Sequence, residues 1–131
     1  MAGPSKSSQR TRRGLMSKYP VLNYVGDVYI PSEDTWLLLD LIKERVPKGN
    51  LCLDLGAGSG VLGLYALLNE LCGRVLFIDI ENDAVETACL NIQLNDVSAR
   101  SIVVQSNNIS IREESIDVVF QIPLSYLCMT H

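Results

Sequence analysis

Residues 54–60, Asp54-Leu55-Gly56-Ala57-Gly58-Ser59-Gly60, set three alternating glycines between a short apolar run and a longer one. Glycine reaches positive φ without a steric cost and lets the backbone approach a ligand with no Cβ between them. A helix that starts there presents backbone N–H groups that have no partner inside the helix. The segment therefore reads as a strand, a tight turn and a helix.

The surrounding pattern extends this unit. Leu51–Leu55 reads as a buried strand and residues 59–71 as the helix after it. Arg74–Ile80 is a second strand, and residues 82–95 have helical spacing through Ala84, Val85, Ala88, Cys89, Ile92 and Leu94. Ser101–Gln105 and Ile116–Ile122 are the third and fourth strands. Upstream, a helix is expected from Pro31 to Leu41, with Ser32 as its cap and Thr35 in its first turn. Alternating strands and helices predict an α/β fold with a parallel sheet covered by helices, in the doubly wound class.

Composition narrows the class further. The chain has 131 residues, 47% of them hydrophobic and 20% charged, which suits one small globular domain. No apolar run has the length of a membrane span, and no signal peptide opens the chain. The four cysteines, Cys52, Cys72, Cys89 and Cys128, lie in apolar segments with no C-x-x-C pair, and the one histidine is His131. Zinc and a secreted disulfide scaffold are thereby disfavoured, and free, buried cysteines fit a reducing, cytoplasmic setting. The net charge of −4 divides unevenly, with +5 in residues 1–20 and −9 in the rest. A basic leader, expected to be disordered, thus precedes an acidic domain from residue 21 to residue 120. Contact of the leader with RNA is the alternative.

The chemistry gathers at the strand ends. Asp79 closes the second strand, where an acid can accept hydrogen bonds from both hydroxyls of a ribose. Gly58-Ser59-Gly60-Val61-Leu62-Gly63 matches the G-x-G-x-x-G dinucleotide pattern, so a nicotinamide cofactor is one candidate. Asp54 favours another, because a carboxylate at the strand tip repels a pyrophosphate and attracts an ammonium group. S-adenosylmethionine carries an ammonium and a sulfonium and no phosphate. The third strand runs into Gln105-Ser106-Asn107-Asn108-Ile109, a turn placed to meet an adenine ring or simply an Asn-rich turn.

Residues 27–40, Asp27-Val28-Tyr29-Ile30-Pro31-Ser32-Glu33-Asp34-Thr35-Trp36-Leu37-Leu38-Leu39-Asp40, resemble the opening of the HemK-like class I methyltransferases. The archaeal and eukaryotic branch opens with V-Y-x-P-x-E-D-T-x-L-L-L. With Asp54–Gly60 and Asp79-Ile80, the resemblance covers residues 21–120. It implies a Rossmann-like S-adenosylmethionine-binding sheet, incomplete here, with the first four strands present and the last three missing. It implies methylation of a glutamine side chain in the Gly-Gly-Gln motif of a translation release factor, and a small zinc-binding activator protein that adds to the sheet edge. Thr35 would approach the methionine part of the cofactor. Asp54 and Gly56 would hold its amino end, Asp79 the ribose, and Asn108 and Ile109 the adenine, with Tyr29, Gly58, Gly60 and Ile80 also expected among the cofactor-binding residues.

The family's Asn-Pro-Pro-Tyr motif belongs at the end of the fourth strand. Its Asn oxygen and a proline carbonyl accept the substrate amide's two N–H bonds and aim the nitrogen at the methyl group. This chain reads Phe120-Gln121-Ile122-Pro123-Leu124-Ser125-Tyr126, with Gln121 in the expected Asn position and no catalytic residue assigned. Shifting the reading frame after Phe120 allows Asn-Pro-Pro-Phe, so residues 121–131 are either a frameshifted tail or a natural short form. The fourth strand is then expected at an uncovered sheet edge. Low or absent turnover is expected, and a non-catalytic cofactor- or partner-binding fragment stays open. So does methylation of nucleic-acid amino groups, which the basic leader favours and the acidic domain disfavours.

Overall fold

The computed structural model describes residues 17–106 and 116–121. Helix α1 (Glu33–Arg45) is followed by strand β1 (Gly49–Leu55), helix α2 (Val61–Leu68) and strand β2 (Cys72–Asp79). Helix α3 (Asn82–Leu94), a short 3-10 turn (Ser98–Arg100) and strands β3 (Ser101–Gln105) and β4 (Val118–Gln121) complete the order. The four strands form one parallel sheet in the order β3-β2-β1-β4, so the chain crosses β1 and β2 between β3 and β4. That is the Rossmann-like arrangement, with β4 at an edge. In such sheets ligands bind beyond the carboxyl ends of the strands, beside the point where strand order reverses.

The helices form where the sequence puts apolar residues at helical spacing, and their ends follow local chemistry. Pro31 and Ser32 lead into α1, with Ser32 as the N-cap and the Thr35 hydroxyl accepting the Ser32 N–H at 3.3 Å. The helix runs on past Leu41 to Arg45, because Lys43, Glu44 and Arg45 keep good helix propensity and basic side chains suit a helix C-terminus. Helix α2 is shorter than expected. Gly60 at φ +84° holds Ser59 and Gly60 in the turn, and Asn69 caps the other end. All of Val61–Leu67 is buried, as expected of a helix apolar on every side.

The core joins α2 to the sheet through Leu64, Tyr65, Leu67, Val75 and Phe77 and to α1 through Trp36 and Leu39. Burial on both sheet faces is limited to the middle strands. Ile102 of β3 is 58% exposed and Val119 of β4 52%. None of the described helices is long and apolar enough to cross a membrane.

Two sequence expectations change. Cys52 and Cys72 are not free but joined in a disulfide, with Cα atoms 6.0 Å apart. Parallel pairing of β1 with β2 brings them within bridging distance although 20 residues separate them in sequence. Cys89 is free but exposed, because it falls on the outer face of α3. Cys128 lies outside the described residues.

The expected leader boundary at residue 20 also falls inside the folded body. Ser17 and Pro20 are buried. The Tyr19 ring meets Trp36 edge-on at 5.7 Å. The hydroxyls of Tyr19 and Tyr65 both donate to Asp40, at 2.8 and 3.0 Å. Burial, reinforced by the Asp40 carboxylate, pushes both phenols well above their usual pKa.

Candidate cofactor site

The site is a cavity of about 490 Å³ at the carboxyl ends of β1, β2 and β3. That volume is in the range of small-molecule and cofactor pockets. Its floor is the turn after β1, where Gly56, Gly58 and Gly60 take φ of +65°, +56° and +84°. Such values favour glycine over any residue with a Cβ. At Gly56 the space a Cβ would enter holds no protein atom within 4 Å, and at Gly58 the nearest atoms are 4.0 Å away. The backbone is thus open to a ligand on this side.

Asp79, at the tip of β2, faces the cavity. One carboxylate oxygen accepts the Gly58 N–H at 2.9 Å and the other accepts the Glu81 N–H at 3.0 Å. These two bonds fix the carboxylate plane and leave lone pairs on both oxygens for a diol. Ile80, 54% exposed, and Ser106 at the end of β3 continue the wall. The Ser106 N–H donates to the Asp79 carbonyl at 2.9 Å.

Asp54 sits elsewhere. It is 1% exposed and is not part of the cavity lining. Its carboxylate accepts the Gly63 N–H at 3.0 Å. Gly63 is in the first turn of α2, whose N-cap Gly60 has no side chain to cap with. A carboxylate from β1 therefore does the capping and meets the positive end of the helix. Burial pushes the Asp54 pKa up to about 7, the Gly63 N–H opposes this, and the charge of Asp79 adds to the rise.

Thr35 is likewise buried, spends its hydroxyl on Ser32, and does not line the cavity. Tyr29 does line it, and its hydroxyl is buried with no hydrogen-bond partner among the described residues. Gly56, Gly58, Asp79 and Ile80 join Tyr29 in the lining, whereas Gly60, in the same turn, does not line the cavity. Asn108 and Ile109 are outside the described residues. Gln121 pairs in register with Leu55, which puts the end of β4 beside the residue that opens the glycine turn. Among the described residues no cluster of three or more His, Cys, Asp or Glu side chains is placed to hold a metal ion.

Sequence reasoning missed the segment that forms one wall of the cavity. Asp27 and Val28 line it together with Tyr29. This extended segment is held on α3 by polar side chains one helical turn apart. Asn95, Asn91, Thr87 and Asp83 accept the N–H groups of Val21, Asn23, Val25 and Asp27 at 2.7 to 3.0 Å. Asn95, Asn91 and Thr87 also donate back to the carbonyls of the same three strap residues. The signal was present as four polar residues spaced by four, two of them, Thr87 and Asn91, fully buried.

The model of the family "Ribosomal protein L11 methyltransferase (PrmA)" matches residues 33–123. A ribosomal protein L11 methyltransferase of Anoxybacillus flavithermus is 34% identical over 85 residues, 65% of this chain and 27% of that protein. Methyltransferase HEMK2 of Mus musculus is 32% identical over 94 residues, 64% of this chain and 44% of that protein. The chain thus spans less than half the length of either relative. A solved S-adenosylmethionine-dependent methyltransferase of Methanococcus maripaludis, itself described as putative, superposes with a TM-score of 0.57 at 23% identity. It covers 63% of this chain and 39% of its own.

Proposed function

We propose a function from one premise: this chain belongs to the ribosomal protein L11 methyltransferase (PrmA) family. The cavity is the site of S-adenosylmethionine, and the work of the domain is methyl transfer to nitrogen. The observation that carries this is the Asp79 carboxylate, tied to Gly58 and Glu81 and facing the cavity above an open glycine turn.

The residues fit that cofactor. Asp79 would accept both ribose hydroxyls, with Ile80 against the sugar and base. Gly56 and Gly58 would let the methionine part lie on the backbone. The orphaned hydroxyl of Tyr29 would donate to the cofactor's polar end, which removes the cost of leaving it buried and unpaired. Asp54 would act from beneath the turn, by holding α2 and by the negative potential it supplies when ionised. Asn108 and Ile109 would meet the adenine. When bound, the cofactor supplies an electrophilic methyl group on sulfur.

For the substrate, we favour a glutamine side chain in a translation release factor, and with it the HemK-like archaeal and eukaryotic branch. The Pro31–Thr35 motif and the mouse HEMK2 relative support this reading. A ribosomal protein L11 substrate is the second reading, favoured by the relatives of that name. Both substrates belong to translation, and on that ground alone the activity would lie in the cytoplasm, since the Cys52–Cys72 disulfide removes the argument from free cysteines. A small zinc-binding activator would dock on a sheet edge, β3 or β4. Gln121 and the lone, displaced Pro123 replace the acceptor pair that aims an amide, so turnover should be low.

Calorimetry with S-adenosylhomocysteine and with NAD tests the cofactor, and transfer of labelled methyl to a Gly-Gly-Gln protein or to ribosomal protein L11 tests the substrate. Binding of the first ligand alone is expected. Binding of NAD instead would sink the assignment.

A further inference from the structure

We propose that Asn91 is a positioning residue that makes the strap, residues 21–29, and the glycine turn close on the cofactor as one unit. The inference rests on the cofactor reading above. Its basis is the way one buried carboxamide is used. Asn91 is 0% exposed. Its oxygen accepts the Asn23 N–H at 2.7 Å, and its nitrogen donates to the Asn23 carbonyl at 3.0 Å. The same nitrogen donates to the Ser59 carbonyl at 2.9 Å. A primary amide has two N–H donors and a carbonyl oxygen with two lone pairs, so this group commits both donors and one lone pair here. It joins the strap to the turn that forms the cavity floor.

The rest of the ladder explains why the strap holds one register. Two residues of extended chain advance about 6.7 Å, and four residues of α-helix advance about 6.0 Å. Every second strap residue therefore meets every fourth residue of α3. A carboxamide or a hydroxyl both accepts and donates, so it engages both backbone groups of its strap partner. Asp83 has no proton to donate when ionised, and it takes only the Asp27 N–H, at 3.0 Å. Gly26 turns beside that carboxylate at φ +66°, where a Cβ would collide with it. Beyond this point the strap delivers Asp27, Val28 and Tyr29 to the cavity, and Val28 approaches the turn at Gly58.

A ligand that contacts both the strap and the turn is then favoured by any bond that holds them in mutual register. Asn95 supplies the contrast. It grips Val21 as Asn91 grips Asn23, but its remaining bond goes to the Asn91 carbonyl in its own helix.

The test is a calorimetric titration of S-adenosylhomocysteine into the full chain and its Asn91→Ala and Asn95→Ala variants, with a thermal melt of each. Asn91→Ala should weaken binding about tenfold or more, the scale of one lost buried hydrogen bond, and Asn95→Ala less than about twofold. Equal losses, or none at Asn91, would overturn the proposal. If the wild-type chain does not bind the ligand, the cofactor reading fails and this one with it. If Asn91→Ala shows no melting transition, hydrogen exchange on the wild-type chain decides. The ligand should slow exchange at the amides of Asn23 and Val25, which do not line the cavity. Unchanged rates there would overturn the proposal.

Discussion

The Asp54 carboxylate accepts the Gly63 N–H at 3.0 Å, so β1 caps the helix that follows it. The usual N-cap position is taken by Gly60, whose positive φ the turn requires. A turn that needs glycine for shape thus loses its cap, and the carboxylate six residues earlier in the chain restores it from below. This arrangement keeps a potentially charged group under the cavity floor, while Asp79 presents its own carboxylate to the cavity.

The raised pKa of Asp54 gives stability a definite pH slope. The folded protein binds this proton more tightly than the unfolded chain does. The contribution is therefore full below the ordinary carboxylate value and is lost as pH rises toward about 7. One such group gives a slope of up to about 1.4 kcal/mol per pH unit across that window. Asp54→Asn keeps an acceptor for Gly63 and cannot ionise. Urea midpoints measured across the window should fall with rising pH in the wild-type chain and fall less in the variant. Identical slopes would refute the assignment.

Asp79→Ala should act on binding more than on folding. It removes the carboxylate proposed to accept the ribose hydroxyls, and hydrogen bonds to charged groups contribute about 1.5–3 kcal/mol each. Affinity for S-adenosylhomocysteine should drop by about 10- to 100-fold, read by calorimetry. An unchanged dissociation constant would remove Asp79 from the site.

Gly63→Ala tests packing against propensity. Alanine favours a helix over glycine by about 1 kcal/mol. Here, however, a Cβ would run into the Phe77 ring and Val75. Overpacking of this kind costs about 1–3 kcal/mol, so thermal melting should shift downward. A rise in melting temperature would show that α2 can move off β2 freely.

The Cys52–Cys72 bond predicts a labelling pattern. After unfolding without reductant, alkylation and mass spectrometry should find Cys89 modified and Cys52 and Cys72 unmodified. Reduction before alkylation should expose both. Modification of all three without reductant would rule the bond out.

Asp117 carries the opposite pH sign from Asp54. Its carboxylate accepts the N–H groups of Leu51 and Asn50, at 3.1 and 2.6 Å, and these bonds hold its pKa below the usual range. The link it makes between β1 and the start of β4 is present above ordinary carboxylate pKa values and is lost as pH falls below them. Amide exchange at Asn50 and Leu51 should quicken on acidification. Rates that do not respond to acid would contradict it.

Local chemistry was legible in the sequence. The alternation of apolar runs, the glycine turn with its positive φ values, the Ser32 cap and the Asp79 strand tip each depend on residues within one or two turns of chain. Those features pointed to the four parallel strands and three α-helices of the described residues and to the end of the sheet that carries the cavity. Tertiary structure decided what depends on distant segments. Asp54 turned inward because α2 folds back over β1 and offers it an N–H. Cys52 and Cys72 met because β1 and β2 pair in parallel. Residues 21–27 became the strap that carries Asp27, Val28 and Tyr29 to the cavity because α3, some 60 residues away in the chain, presents a polar ladder at a matching repeat. A hydrogen bond needs two groups in one place, and a linear pattern specifies the groups without the place.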